Sequence, residues 1–292
     1  MALPMVGIAV LITGVTLVMF GVVGAGFHRQ ARAVASPGLR DGAVRLVGPL
    51  LAAWWLAALL LATGGFFAAG RPGAPRIAWA SVPLIVGLTL YAASAAYRRT
   101  IDGTPPDRLI GAQVYRLLGG VFVVGWALGL LPGIFALPAG LGDLAIGAAA
   151  PLVASLLRKR RPQARRAAVL WNVVGLADLV MAVTLGVLST PGRLQRLSFG
   201  APNTAISAYP FVLVPTVLVP LSVLLHVFSL RGLWKSREKR GETDSLSINR
   251  HVPVFRPTGP QAASKAEAPR SKGVAGEDGG RPKPPSHGTR IA

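Results

Sequence analysis

The chain has no cysteine among its 292 residues. Disulfides, thiolate nucleophiles, iron–sulfur clusters and Cys-ligated zinc are therefore excluded. Acids are scarce too, with 11 Asp and Glu against 31 Lys and Arg. Charged residues make up 14% of the chain, where a soluble domain carries about 25%. No cofactor-binding or metal-ligand motif is present, and no cofactor is expected. The basic excess comes without a nucleic-acid recognition motif. It is the pattern of basic loops beside an anionic membrane.

What the chain does have is apolar length. Hydrophobic residues reach 52%, and the mean hydropathy is +0.52. Seven runs approach the roughly 20 residues that cross a bilayer as a helix. They are 4–26, 47–69, 79–97, 112–134, 137–157, 167–189 and 209–230. The fourth and fifth are separated only by a tight turn within "LPGIFALP". The first run has no basic segment before it and exceeds the 7–15 apolar residues of a signal peptide, so it reads as a retained helix. The expected fold is all-α, a polytopic bundle of seven transmembrane helices over residues 1–235. Residues 236–292 are rich in Pro, Gly, Ser and mixed charge without apolar periodicity. They read as a disordered, basic cytoplasmic tail.

Lys and Arg alternate between connections. Arg29, Arg32, Arg40 and Arg45 follow the first span, and Arg98, Arg99 and Arg108 the third. The turn 158–166, "RKRRPQARR", follows the fifth, and the tail opens with "RGLWKSREKR". The other connections carry only Arg71, Arg76, Arg193 and Arg196. The positive-inside rule then puts the N-terminus outside and the C-terminus in the cytoplasm of a bacterial-type inner membrane. Arg158, Lys159, Arg160 and Arg161 are expected on anionic headgroups. The tail is a candidate docking segment for a protein partner. Several of the six Trp lie at span ends, where interfacial anchors sit.

Nine of the eleven acids fall in loops or tail; Asp143 and Asp178 fall inside spans. A carboxylate at the bilayer centre costs about 2.5–3.5 kcal/mol on insertion scales, which marks a functional-site hypothesis. The segments around them, "GLGDLAIG" and "GLADLVMA", share the pattern Gly-Leu-small-Asp-Leu. The basic turn lies midway between the two acids, so antiparallel helices joined there bring both to similar depth. Small residues flank each acid on its own helix face: Ala139, Gly147 and Ala150 for Asp143, Gly175 and Ala182 for Asp178. They allow close helix approach, so both acids should face protein. Arg116 either reaches toward Asp178 or snorkels to the cytoplasmic headgroups. Asn172 either bonds across helices or caps the inner end of its own. Asp143, Asp178, Arg116 and Asn172 are the candidate substrate- or ion-binding residues. Pro210, Pro215 and Pro220 kink the last span. His28 and His226 lie near inner span ends and read as interface residues.

Residues 140–143, Gly-Leu-Gly-Asp, resemble the GxGD motif of the intramembrane aspartyl proteases: the presenilin, signal-peptide-peptidase and prepilin-peptidase group. The resemblance covers four residues and implies a water-activating carboxylate pair. In that family the GxGD acid is the second of the two, whereas Asp143 precedes Asp178. The longer patterns PAGxGD and WNxxGLxDL, within residues 113–189, are similar to uncharacterised bacterial multi-pass membrane proteins and imply no activity. The leading expectation is a small transporter or permease-like protein whose acids handle a proton, a cation or a polar substrate. The alternative is a non-catalytic scaffold or sensory subunit with a structural polar clasp. A protease is the third reading, and a non-enzymatic role is preferred.

Overall fold

The computed structural model describes residues 2–34, 42–69 and 76–250. The chain divides into Met1–Leu246 and Ser247–Ala292. All but the start of the second unit lies outside the described residues, including most of the expected tail. Among the described residues every regular element is helical.

α1 (Ala2–Val34) and α2 (Gly42–Thr63) are apolar almost throughout and run antiparallel. Gly24 meets Leu51, and the backbone of Gly48 comes close to the His28 ring. A tight 3₁₀ turn (Arg76–Ser81) leads into α3 (Val82–Ala93). At Ser94 the backbone becomes extended, and the Ser94 hydroxyl accepts the Tyr97 N–H at 3.1 Å, capping a new helix. That helix, α4 (Ala95–Asp102), is bent 102° away from α3. It is amphipathic, burying Ala96, Tyr97, Thr100 and Ile101.

α5 (Pro106–Ala112) has proline at its first position and Asp107 in its first turn, both favourable at a helix N-terminus. It continues through a 3₁₀ segment (Gln113–Gly119) into α6 (Gly120–Ala127), so that 106–127 forms one apolar span. After a turn in which Gly129 adopts φ +71, α7 (Gly133–Arg158) and α8 (Ala164–Ser189) form a long hairpin. Its connecting residues 158–161 are exposed. A wide, π-type turn (Val214–Leu218) opens α9 (Val219–Arg250). Pro220 has no N–H for the Thr216 carbonyl, and Trp54 Nε1 donates to that carbonyl at 3.0 Å.

Among the described residues six helices are long and apolar enough to cross a membrane, or up to seven if the bent pair 78–93 and 95–102 counts as one. The boundaries differ from the sequence expectation in two instructive places. The fourth span begins at 106 and not 112, because the Pro-Pro-Asp start signal outweighs the charges of Asp107 and Arg108. The last begins at Val214 and remains helical through Arg250, past the expected tail boundary at 236. Both shifts carry polar residues deeper into their helices.

Two ends can be followed through contacts. At one, Gln30 donates to the Gly103 carbonyl, and Asp102 pairs with Arg231 and Lys235 and accepts from Tyr91. At the other, Arg76 donates to the Phe66 carbonyl, and the Asn203 N–H donates to the Ser189 carbonyl.

Candidate functional site

Arg116 is buried, 3% exposed, at the centre of a polar network. One edge of its guanidinium holds both membrane acids. Nε donates to Asp143 Oδ1 at 2.7 Å, and Nη2 to Asp178 Oδ2. Nη1 donates to His226 Nε2 at 3.1 Å and to the Gly175 carbonyl at 3.3 Å. A guanidinium has no acceptor, so His226 Nε2 must be the acceptor. His226 Nδ1 then donates to Asn172 Oδ1 at 2.9 Å. Asn172 Nδ2 donates in turn to the Ala168 carbonyl at 2.7 Å and to Ser229 Oγ at 3.2 Å. The tautomer is thus fixed along the whole chain of bonds, and no alternative orientation of Asn172 satisfies it as well. Trp171 lies against the His226 ring, with centroids 4.9 Å apart, and donates to the Ile146 carbonyl.

These groups sit at one level. Counting from the helix ends on a common side, Asp143 is ten residues from Gly133, Asp178 eleven from Ser189, Arg116 eleven from Ala127 and His226 twelve from Val214. At 1.5 Å per residue each lies about 15–18 Å deep, near the middle of a core of about 30 Å.

Glycines make room for them. A Cβ on Gly142 would overlap Asp178 Oδ1, and one on Gly119 would overlap the Asp143 side chain. A Cβ on Gly175 would strike His226, and one on Gly147 would fall 2.6 Å from the Leu117 backbone nitrogen. Asp143, Asp178 and His226 therefore each rest where a neighbouring helix has no side chain, the close packing that small residues permit.

The two acids differ in what else they touch. A cavity of about 200 Å³ reaches Asp143 from the end of the bundle marked by Arg76, Thr190 and Arg193. A second void of about 20 Å³ lies between Asp143, Arg116, Tyr115 and Ser222, room for about one water. Asp178 lines neither. Asp143 Oδ1 is taken by Arg116, whereas Oδ2 accepts no hydrogen bond from a described residue. Two carboxylates share one cation, so the cluster has one more formal negative charge than positive.

All four candidate residues thus come together. Arg116 does not snorkel: the earlier start of its span places it about three turns deep. Asn172 bonds across helices and does not cap. His226, read from sequence as an interface residue, is fully buried in the network because its span runs on to Lys235. Trp171 is likewise buried and is no interfacial anchor. The periodicity signal that finds His226 is its i, i−4 relation to Ser222, another buried polar residue on the same helix face. His28 stands apart, against Gly48. Among the described residues no group of three or more His, Cys, Asp or Glu is arranged to hold a metal ion.

The chain belongs to the family described as Domain of unknown function (DUF8737), which matches residues 76–234, just over half its length. No curated protein and no solved structure matches it. The family segment contains every residue of the polar network; α1 and α2 lie outside it.

Proposed function

We propose that this DUF8737 member is a small transporter or permease-like protein of the inner membrane, in which Asp143 exchanges a proton or a cation. The observation that carries the reading is the second oxygen of Asp143. It has no donor among the described residues and belongs to a cluster with surplus negative charge, and Asp143 lines a cavity. Such an oxygen in a low-dielectric site calls for a proton or a cation from the cavity. A water-sized void on the other side of the acid is bounded by Tyr115 and Ser222.

A topology of seven spans with the N-terminus outside suits this reading. The 3₁₀ turn at about 2 Å per residue and α3 at 1.5 Å together cover about 30 Å, a full crossing. The basic loops and the Asp102 cluster then share the cytoplasmic end. The protease alternative is not taken up, because a dyad needs both carboxylates free to hold one water, and Arg116 occupies both.

A second reading, the non-catalytic scaffold with a structural clasp, is favoured by Asp178. It is packed against Gly142, bonded to Arg116 and away from the cavity. One experiment separates the two. Full-length protein is reconstituted into liposomes holding a pH-sensitive dye, and proton and sodium gradients are imposed in turn. The transport reading expects a flux well above that of empty liposomes, lowered about tenfold or more in Asp143→Asn. A flux equal to that of empty liposomes under both gradients, with Asp143→Asn merely less stable, gives the clasp reading.

A further inference from the structure

The cavity has a definite shape and chemistry beyond its contact with Asp143. Along α8 its lining follows one stripe: Leu179, Ala182, Val183, Gly186, Val187 and Thr190. From the first to the last, the rise is about 16 Å. With a volume of about 200 Å³, the space is long and narrow. The opposite wall includes Phe67, Phe122 and Phe135, the last two packed edge to face with centroids 5.3 Å apart. The inner end is Asp143, whose Oδ2 has no donor among the described residues. The outer end has two arginines. The Arg76 guanidinium lies over the Phe66 ring, 5.0 Å from its centroid, and Arg193 is exposed.

Each part constrains the ligand. A hard metal cation needs several oxygen ligands, and apart from Asp143, Thr190, Ser207 and the two arginines the side chains lining this cavity are hydrocarbon. A fatty anion would bring negative charge, or bare methylene, against Asp143. A simple organic amine suits Asp143 and the aromatic wall, but leaves its other end among the arginines. A molecule with an ammonium at one end, an anionic group at the other and a hydrocarbon chain between them matches all three regions.

We propose that the cavity binds a linear zwitterionic amphiphile, its primary ammonium on Asp143 Oδ2 and its anionic group toward Arg76 and Arg193. This rests on Asp143 being the exchanging group. The ammonium supplies the donor that Oδ2 lacks, and the chain replaces water along the apolar stripe. Unbranched chains fit the narrow lumen. Binding leaves the Arg116–Asp178 pair in place.

The test uses full-length protein in lipid nanodiscs, with ω-aminooctanoate, octylamine and octanoate as probes and calorimetry against empty nanodiscs. The expected order is ω-aminooctanoate first, octylamine about tenfold or more weaker, and octanoate weakest. Ala182→Leu, which fills the lumen without touching a charge, abolishes binding of all three. Combining Arg76→Gln with Arg193→Gln brings ω-aminooctanoate down to the level of octylamine and leaves octylamine unchanged. Asp143→Asn removes the preference for the amine; should that variant fail to accumulate, the lumen and arginine variants decide. Binding no greater than to empty nanodiscs, octanoate equal to ω-aminooctanoate, or indifference to Ala182→Leu overturns the proposal. Proton flux without probe binding defeats this inference and leaves the proposed function standing; probe binding without flux does the reverse.

Discussion

Asp143 and Asp178 are bound to one edge of one guanidinium, yet their surroundings differ. Asp143 lines a cavity and has a second oxygen without a donor among the described residues. Asp178 has its second oxygen against Gly142 and lines neither that cavity nor the small void beside it. Similar local sequences, "GLGD" and "GLAD", thus give one acid that lines a cavity and one that does not. The difference comes from the surroundings and not from the motif. Each acid faces a glycine of a neighbouring helix, Gly119 for Asp143 and Gly142 for Asp178, but Asp143 alone shares the cavity with Val214 of the wide turn Val214–Leu218. A buried carboxylate is costly in either setting, but only one setting lets the cost be met by an exchangeable group.

The comparison can be broken most directly at the group both acids share. Arg116→Met should strip both carboxylates of their cation and destabilise the protein by about 3–5 kcal/mol, as loss of one member of a buried charge cluster does. Chemical unfolding in detergent micelles measures it, and a loss below about 1 kcal/mol would mean that the network contributes little to folding. A smaller change tests the packed side alone. Gly142→Ala puts a Cβ on Asp178 Oδ1 and should cost about 1–3 kcal/mol. Gly111→Ala, whose Cβ would stand 3.6 Å from that of Ala154, serves as the unstrained control and should stay within about 0.5 kcal/mol. Equal thermal shifts in the two variants would remove the argument from close packing. The smallest expected effect sharpens the contrast between the acids. Asp178→Asn keeps the shape, loses a charge-assisted bond and should cost about 1–2 kcal/mol, while liposome flux persists at half the wild-type rate or more. If Asp178→Asn and Asp143→Asn abolish flux alike, the two acids act as one site.

The acids themselves were legible because a carboxylate in an apolar span is rare and has few explanations. Asp143 and Asp178 follow from that consideration; Arg116 and Asn172 are nearby polar groups whose residues alone also allow a snorkel and a cap, and all four join one network. Depth was the harder quantity. Charge counting moved the start of the fourth span past Asp107 and Arg108, which made Arg116 look close enough to the surface to escape. The same bias ended the last span at 230 and left His226 at an apparent boundary. In each case a local signal points the other way: Pro105-Pro106-Asp107 at one helix start, and at the other apolar Leu230, Leu233 and Trp234 spaced three and four apart. The break at Ser94 was not legible, because its cause is one side-chain cap within a run of otherwise ordinary helix residues. Neither was the cavity, which depends on how the wide turn at Val214 meets α8.

The order of the network along the chain has a consequence for how it is made. Synthesis runs from the N-terminus, so Arg116 precedes both acids and His226 along the nascent chain. The α7–α8 hairpin brings Asp143 and Asp178 in succession, and His226 closes the remaining edge last. The network is complete only once α9 is in place, so a chain that ends before it leaves Arg116 Nη1 without its His226 partner.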